Sequence, residues 1–187
     1  MAAMIRALLT AMAVTIPVAA LATPISGVLP WNDTRPAPRG KALLIDAMMQ
    51  GHNLARSRYG VAPLVWDEAL AKDAQRYASI LARFGRFEHD PQVGRYPKQG
   101  ENLFMGTRTA YRYQEMVKGW VDERRQFRGG RFPYVSKTGD WSAVGHYTQI
   151  IWPTTKRVGC ASASNQSDDY LVCRYWPAGN VVGTVLR

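Results

Sequence analysis

The sequence predicts an α+β layered domain, and three observations carry that expectation. Segments with helical spacing of apolar residues lie in the earlier part of the chain, between Lys41 and Phe127. β-type runs separated by turn residues fill the rest, from Tyr147 onward. Cys160 and Cys173, the two cysteines, sit inside two of those runs. Helices first and an antiparallel sheet after them is the order of an α+β layered domain.

The chain opens with Met1, carries Arg6 as its only early charge, and continues as an alanine-rich apolar run from Ala7 to Ala20. Ala20-Leu21-Ala22 then gives the small-x-small pattern of a signal-peptidase site, so cleavage after Ala22 and export are expected. Pro17, Thr10 and Thr15 weaken a run already shorter than the roughly 20 apolar residues a membrane span needs, so no transmembrane anchor is expected after cleavage. Removal of residues 1–22 leaves 165 of the 187 residues, enough for one domain with a sizeable core. Residues 23–40 contain Pro24, Pro30, Pro36 and Pro38 and read as an extended leader, with the domain proper at 41–187.

From Lys41 to Tyr59, Leu44, Met48 and Ala55 follow helical spacing, and Gly60 stands where a C-terminal cap belongs. Val61–Trp66 reads as an apolar connector. Asp67 is an N-cap for a second helix over Glu68–Phe84, which Gly85 ends. The chain must leave the helix before Pro91, which places His89 on a loop. Gly94–Gly106 reads as loop, with Glu101–Phe104 a short edge strand. Tyr111–Phe127 forms a third helix, with Met116, Val117 and Trp120 on its apolar side and Glu123 three residues beyond Trp120. Strands are expected at Tyr147–Trp152, Arg157–Ala163, Tyr170–Trp176 and Val181–Leu186.

An even cysteine count in an exported chain favours pairing. Cys160 and Cys173 flank a polar stretch, Ser162–Asp169, that reads as a hairpin loop and would bring the thiols together. A disulfide closing a loop of that size stabilises by about 3 kcal/mol in the chain-entropy model.

The formal charge is +10, of which Arg6 leaves with the signal. Arg56, Arg58, Arg83, Arg86, Arg124 and Arg125 are among the scattered basic residues, read as a solvated surface with a weak attraction to anionic surfaces. No nucleic-acid motif accompanies the charge, so no nucleic-acid partner is expected. Of the three histidines, His52 falls mid-helix and has a structural hydrogen-bonding role, whereas His89 and His146 lie at element edges where a side chain can point into a cleft.

His52-Asn53-x-x-Arg56, Gly60-Val61-x-Pro63-Leu64-x-Trp66-Asp67, Gly100-Glu101-Asn102-Leu103 and Trp120-x-x-Glu123 occur in that order, followed by the Gly145–Trp152 and Tyr170–Gly183 runs. Together they resemble the CAP superfamily: cysteine-rich secretory proteins, insect antigen 5 and plant pathogenesis-related proteins. The resemblance implies a three-layer α-β-α sandwich with a central, mostly antiparallel sheet. It also implies a cleft holding His89, Glu101, Glu123 and His146. In such a cleft His89 and His146 are metal ligands for Zn2+ or another divalent cation. Glu101 and Glu123 would fix the ring tautomers, bind a water or serve as catalytic bases. Two protein ligands make an open, weak site, since catalytic zinc usually has three. Asp90 stands where the family commonly has serine, adding a negative charge that would attract a cation or face solvent.

The resemblance implies a secreted binding module, extracellular or periplasmic in a bacterium, and a monomer. Its ligand would be a lipid or sterol in a groove walled partly by Phe104, Tyr111, Trp120, Tyr147 and Trp152. The alternative is a metal-dependent hydrolase or peptidase using the same four residues, although neither a Gly-x-Ser-x-Gly elbow nor a His-Glu-x-x-His helix supports it.

Overall fold

Asp67 and two glycines set the limits of the two long helices. The Asp67 carboxylate accepts from the Ala69 and Leu70 N–H groups and starts α2, Glu68–Phe84. Gly60 ends α1, Lys41–Tyr59, and Gly85 ends α2, both in the left-handed region with φ of 84° and 60° that glycine adopts without strain. The computed structural model describes residues 36–187. The signal segment expected at 1–22, and the leader as far as residue 35, lie outside the described residues. Residues 34–187 form a compact unit.

Four strands make the central sheet: β1 Val65–Trp66, β2 Gly100–Thr107, β4 Arg157–Ser164 and β5 Asp168–Trp176, in the order β1-β4-β5-β2. β2 pairs with β5 and β5 with β4 antiparallel, and only the short β1 runs parallel to β4. A two-stranded ribbon, β3 Gly130–Arg131 with β6 Val185–Leu186, lies apart from it. The remaining helices are α3 Tyr113–Asp122 and the short α4 Gly145–Ile150, with single 3-10 turns at Glu123–Arg125 and Trp141–Val144.

Strand alternation sorts the side chains into two cores. Ala161, Tyr170, Val172 and Leu103 face α2, where they meet Ala74, Tyr77, Ala78 and Leu81. Val158, Cys160, Leu171, Cys173 and Tyr175 face the other way, toward Met48 of α1, Met116 and Trp120 of α3, and Tyr147 and Ile150 of α4. The result is the expected sandwich: α2, then the sheet, then α1, α3 and α4. Gly159 allows the tight first layer, because a Cβ there would lie 2.3 Å from Ala71 N and 2.4 Å from Asp67 O. Cys160 and Cys173 are directly opposed on β4 and β5, with Cα atoms 4.1 Å apart, and form the disulfide within the second core.

Five sequence expectations are corrected. Tyr147–Trp152 is not a strand: Tyr147 to Ile150 belong to α4, and each is buried. Because Tyr147 to Ile150 are buried together, polar Thr148 and Gln149 included, the segment shows no polar face in a 3.6-residue period, and its β-type residues imitate a strand. The third helix is shorter than Tyr111–Phe127 and tightens into a 3-10 turn at Glu123. Val181–Leu186 forms a strand only at Val185–Leu186, since Asn180 and Gly183 take positive φ. The edge strand seen at Glu101–Phe104 runs the full eight residues of β2, and the Val61–Trp66 connector ends in β1.

Arg56 does not belong to the solvated basic surface. It is 1% exposed and donates to four carbonyls: Ala62 O at 2.6 Å, Ile150 O at 2.8 Å, Trp152 O at 2.9 Å and Thr155 O at 3.0 Å. It ties α1 to the end of α4 and to the turn that enters β4. Burial lowers its pKa to about 10. His52 has the structural role expected: Nδ1–H donates to Met48 O at 2.7 Å, and Nε2 accepts from the Tyr175 hydroxyl at 2.7 Å. Burial holds its pKa down at about 4. At the start of the described chain, Ala37 N–H bonds to Thr109 O at 2.8 Å, and Arg39 pairs with the buried Asp169.

Candidate functional site

The start of β2 organises the site. Glu101 and Asn102 are consecutive on an edge strand, so their side chains leave opposite faces of the sheet. Glu101 points toward the α2 layer. Its Oε1 accepts from His89 Nδ1 at 2.6 Å and from Asp90 N–H at 3.1 Å. Asn102 points the other way, where its Nδ2 donates to His146 O at 3.1 Å. β2 thus touches both candidate histidine segments, one from each face.

Around His146 the arrangement is tighter. Glu123 Oε1 accepts from His146 Nδ1 at 2.5 Å, while Oε2 accepts from the backbone N–H groups of His146 at 2.9 Å and Tyr147 at 3.0 Å. The 3-10 turn at Glu123–Arg125 therefore caps α4 and orients its first histidine with one carboxylate. The His146 ring stacks on Trp120, with centroids 5.8 Å apart and planes at 20°, and Trp120 in turn donates from Nε1 to Leu103 O at 3.1 Å.

Carboxylate oxygens are acceptors, so each histidine donates from Nδ1, and in the neutral ring the lone pair is left on Nε2. The His89 side chain is 67% exposed above a Glu101 that is 5% exposed, and the values for His146 and Glu123 are 33% and 20%. The rings reach solvent while the carboxylates sit beneath them. Both carboxylates are engaged in holding the imidazoles. Among the described residues, no group of three or more His, Cys, Asp or Glu is arranged to hold a metal ion.

Sequence reasoning missed Arg174. It lies 1% exposed on β5, opposite Glu101, and its Nη2 reaches Asp90 Oδ2 at 2.5 Å and Glu101 Oε2 at 3.0 Å. The Glu101 contact is an ion pair without hydrogen-bond geometry, since Glu101 Oε2 has no hydrogen-bond partner. Asp90, part exposed, is therefore not free to attract a cation, because it neutralises Arg174 under the loop that carries His89. A charged residue inside the apolar run Leu171-Val172-Cys173-Arg174-Tyr175 was the signal for a buried ion pair.

The aromatic groove expected from sequence is not formed by those five residues. Trp120, Tyr147 and Trp152 are core residues at 3%, 7% and 1% exposure. Phe104 packs edge-on against Tyr111, which is exposed. An apolar-floored cleft of about 380 Å³ lies instead between α1 and α3, with Leu54, Val117 and Val121 on its walls and Arg58, Lys118 and Arg124 among its lining.

A family model described as the cysteine-rich secretory protein family, CAP, matches residues 49–175. The chain belongs to the CAP family. Pathogenesis-related protein 1B from Nicotiana tabacum is 38% identical over 137 residues, covering 72% of this CAP chain and 76% of that protein. Secreted protein RBT4 from Candida albicans is 32% identical over 140 residues, covering 73% of this chain and 36% of that one. The solved structure of NaASP2 with Zn2+ superposes with a TM-score of 0.65 at 24% identity, over 80% of this chain and 88% of that one. This CAP chain thus shares the α-β-α sandwich of its structural neighbours and is of the pathogenesis-related protein 1 type. No helix among the described residues is long and apolar enough to cross a membrane.

Proposed function

We propose that this CAP domain is an exported binding module whose cleft takes a divalent cation on the Nε2 atoms of His89 and His146. The observation that carries the reading is the pair of Nδ1 contacts to Glu101 and Glu123, which orients both rings and leaves Nε2 of the neutral imidazoles to a metal. Imidazole nitrogen suits zinc, and one structural neighbour, NaASP2, has been solved with Zn2+. With two protein ligands, the other coordination positions fall to solvent or to a bound partner, so the site is open and exchangeable. The cation would supply Lewis acidity to such a partner.

Two features weigh against the hydrolase alternative. Glu123 spends both oxygens on three donors, and Glu101 is buried beneath His89 and Arg174. Neither is aimed at solvent as a base must be to take a proton from water. The lipid or sterol ligand is retained as a second reading, moved to the cleft between α1 and α3. Its apolar floor and basic rim suit a chain with an acidic head. Export is proposed on the signal-like start and on the relative named Secreted protein RBT4, and puts the mature N-terminus at Thr23 in extracellular or periplasmic space.

Calorimetric titration of residues 34–187 with zinc tests the cation reading. One saturable site in the native domain, absent from His89→Ala, His146→Ala, is the expected result. Unchanged binding in the double variant, or none in the native domain, would make the tetrad a structural polar cluster. Fatty-acid titration of Leu54→Asp, Val117→Asp against the native domain tests the second reading in the same way.

A further inference from the structure

Five of the fifteen exposed large apolar side chains among the described residues lie on α2 or in the segment that follows it. The helix buries one face, yet Ile80 and Phe84, four residues apart, form an outward stripe that Phe87 continues. The loop after it carries Val93 at 90% exposure and Tyr96 at 97%, the highest values among the exposed large hydrophobic residues of the described chain. These tips are held outward from a fixed base. Gln92 and Gln99 are both buried: the Gln92 side chain accepts from Gln99 N–H at 2.8 Å and donates to Gln99 O at 2.9 Å, and Gln99 Nε2 donates to Asp73 of α2 at 2.7 Å.

Basic groups surround the tips. Ile80, Val93 and Tyr96 share one depression of about 760 Å³ with Arg76, Arg86 and Arg95. The Arg83 and Arg86 guanidinium groups lie 5.4 and 5.7 Å from the Phe84 ring centroid. Between Arg83 and Lys98 there are four basic residues and two acidic ones, Glu88 and Asp90. Asp90 is taken by Arg174, Glu88 lies 3.5 Å from Arg86, and Asp73 of α2 pairs with both Arg76 and Arg95, so Arg83 and Lys98 carry the excess positive charge. The patch is apolar at its points and positive around them.

We propose that this face docks on an anionic phospholipid bilayer, with Val93 and Tyr96 entering the headgroup layer and Arg83, Arg86 and Lys98 pairing with lipid phosphates. Three features favour a bilayer over a folded protein partner. Val93 and Tyr96 stand almost fully exposed at an open depression lined also by Arg76, Arg86, Glu88, Asp90 and Arg95, which is not an apolar groove. An aromatic ring flanked by arginines matches the interfacial layer, where Tyr is enriched and basic side chains meet phosphate. The net positive charge of the chain, +10, is of the sign that anionic lipid attracts. The cation cleft is not needed for this docking.

The test is co-sedimentation of residues 34–187, which hold the sheet, the four α-helices of the described residues and the disulfide. The vesicles are phosphatidylglycerol mixed with phosphatidylcholine, or phosphatidylcholine alone. The domain should bind the anionic vesicles, should not bind the neutral ones, and should release as salt rises. Val93→Asp, Tyr96→Asp should abolish binding without changing the thermal melt, since both side chains are exposed. Arg83→Gln, Arg86→Gln should weaken partitioning by about thirty-fold, from the loss of two phosphate-facing charges. Equal binding by the Asp variant would overturn the proposal in favour of diffuse charge attraction. A folded domain that ignores anionic vesicles would overturn it too, and would leave the face to a protein partner.

Discussion

Glu123→Ala and Glu123→Gln should separate a structural from an electronic role, because this carboxylate holds three donors at once. In Glu123→Ala the His146 and Tyr147 N–H groups and the His146 Nδ1–H all lose their acceptor. A hydrogen bond to a charged group contributes about 1.5–3 kcal/mol, and the site is part exposed, so water recovers some of it and the loss comes to about 3 kcal/mol. For a domain of this size that lowers Tm by about 6–12 °C. In Glu123→Gln the amide oxygen keeps the two backbone donors and the amide NH2 meets Nδ1. That nitrogen must then accept, and the proton moves to Nε2. The stability loss falls to about 1 kcal/mol, but the lone pair proposed for the cation is gone. Long-range 1H–15N correlation at about pH 8.5, two units above the ordinary imidazole value, reads the tautomer directly. Native His146 should carry its proton on Nδ1 and the Gln variant on Nε2, with zinc affinity reduced in the latter. The same tautomer in both proteins would refute the reasoning.

Three other outcomes follow from the core. His52 is neutral in the fold with a pKa of about 4, against about 6.5 unfolded, so the unfolded chain binds the extra proton between those values. Stability from this group is complete above about pH 6.5 and is lost as pH falls toward 4, by about 3 kcal/mol in all. Urea unfolding at pH 7 and 4.5 should show a smaller drop in His52→Gln than in the native domain. Arg56→Met leaves four buried carbonyls without their donor and should destabilise by about 4 kcal/mol or more, visible as a lowered urea midpoint. Gly159→Ala should force α2 off β4, since the new Cβ would overlap backbone atoms of Ala71 and Asp67, and should lower Tm by about 6 °C or more.

The helices were legible because their ends carry local chemistry. Asp67, Gly60 and Gly85 act through bonds and backbone angles within a few residues, and α1 and α2 lie where those residues place them. The cysteine pair was legible for the same reason, as two strands joined by a polar turn. α4 was not, because four of its six residues, Tyr147 to Ile150, are buried and its first N–H groups are capped by Glu123, 23 residues earlier. The site divides along the same line. His89, Glu101, Glu123 and His146 were named from family resemblance, and the structure joins them as two pairs at β2. Arg174 and Asn102, which steady those pairs, act through the sheet register, and register depends on contacts far apart in sequence.

The most direct measurement is anomalous diffraction at the zinc edge from crystals of residues 34–187 soaked with zinc. A single anomalous peak about 2.0–2.1 Å from the Nε2 atoms of both His89 and His146 is the predicted result. No peak near those rings, or one bound through Nδ1 with the Glu101 and Glu123 contacts broken, would contradict the account.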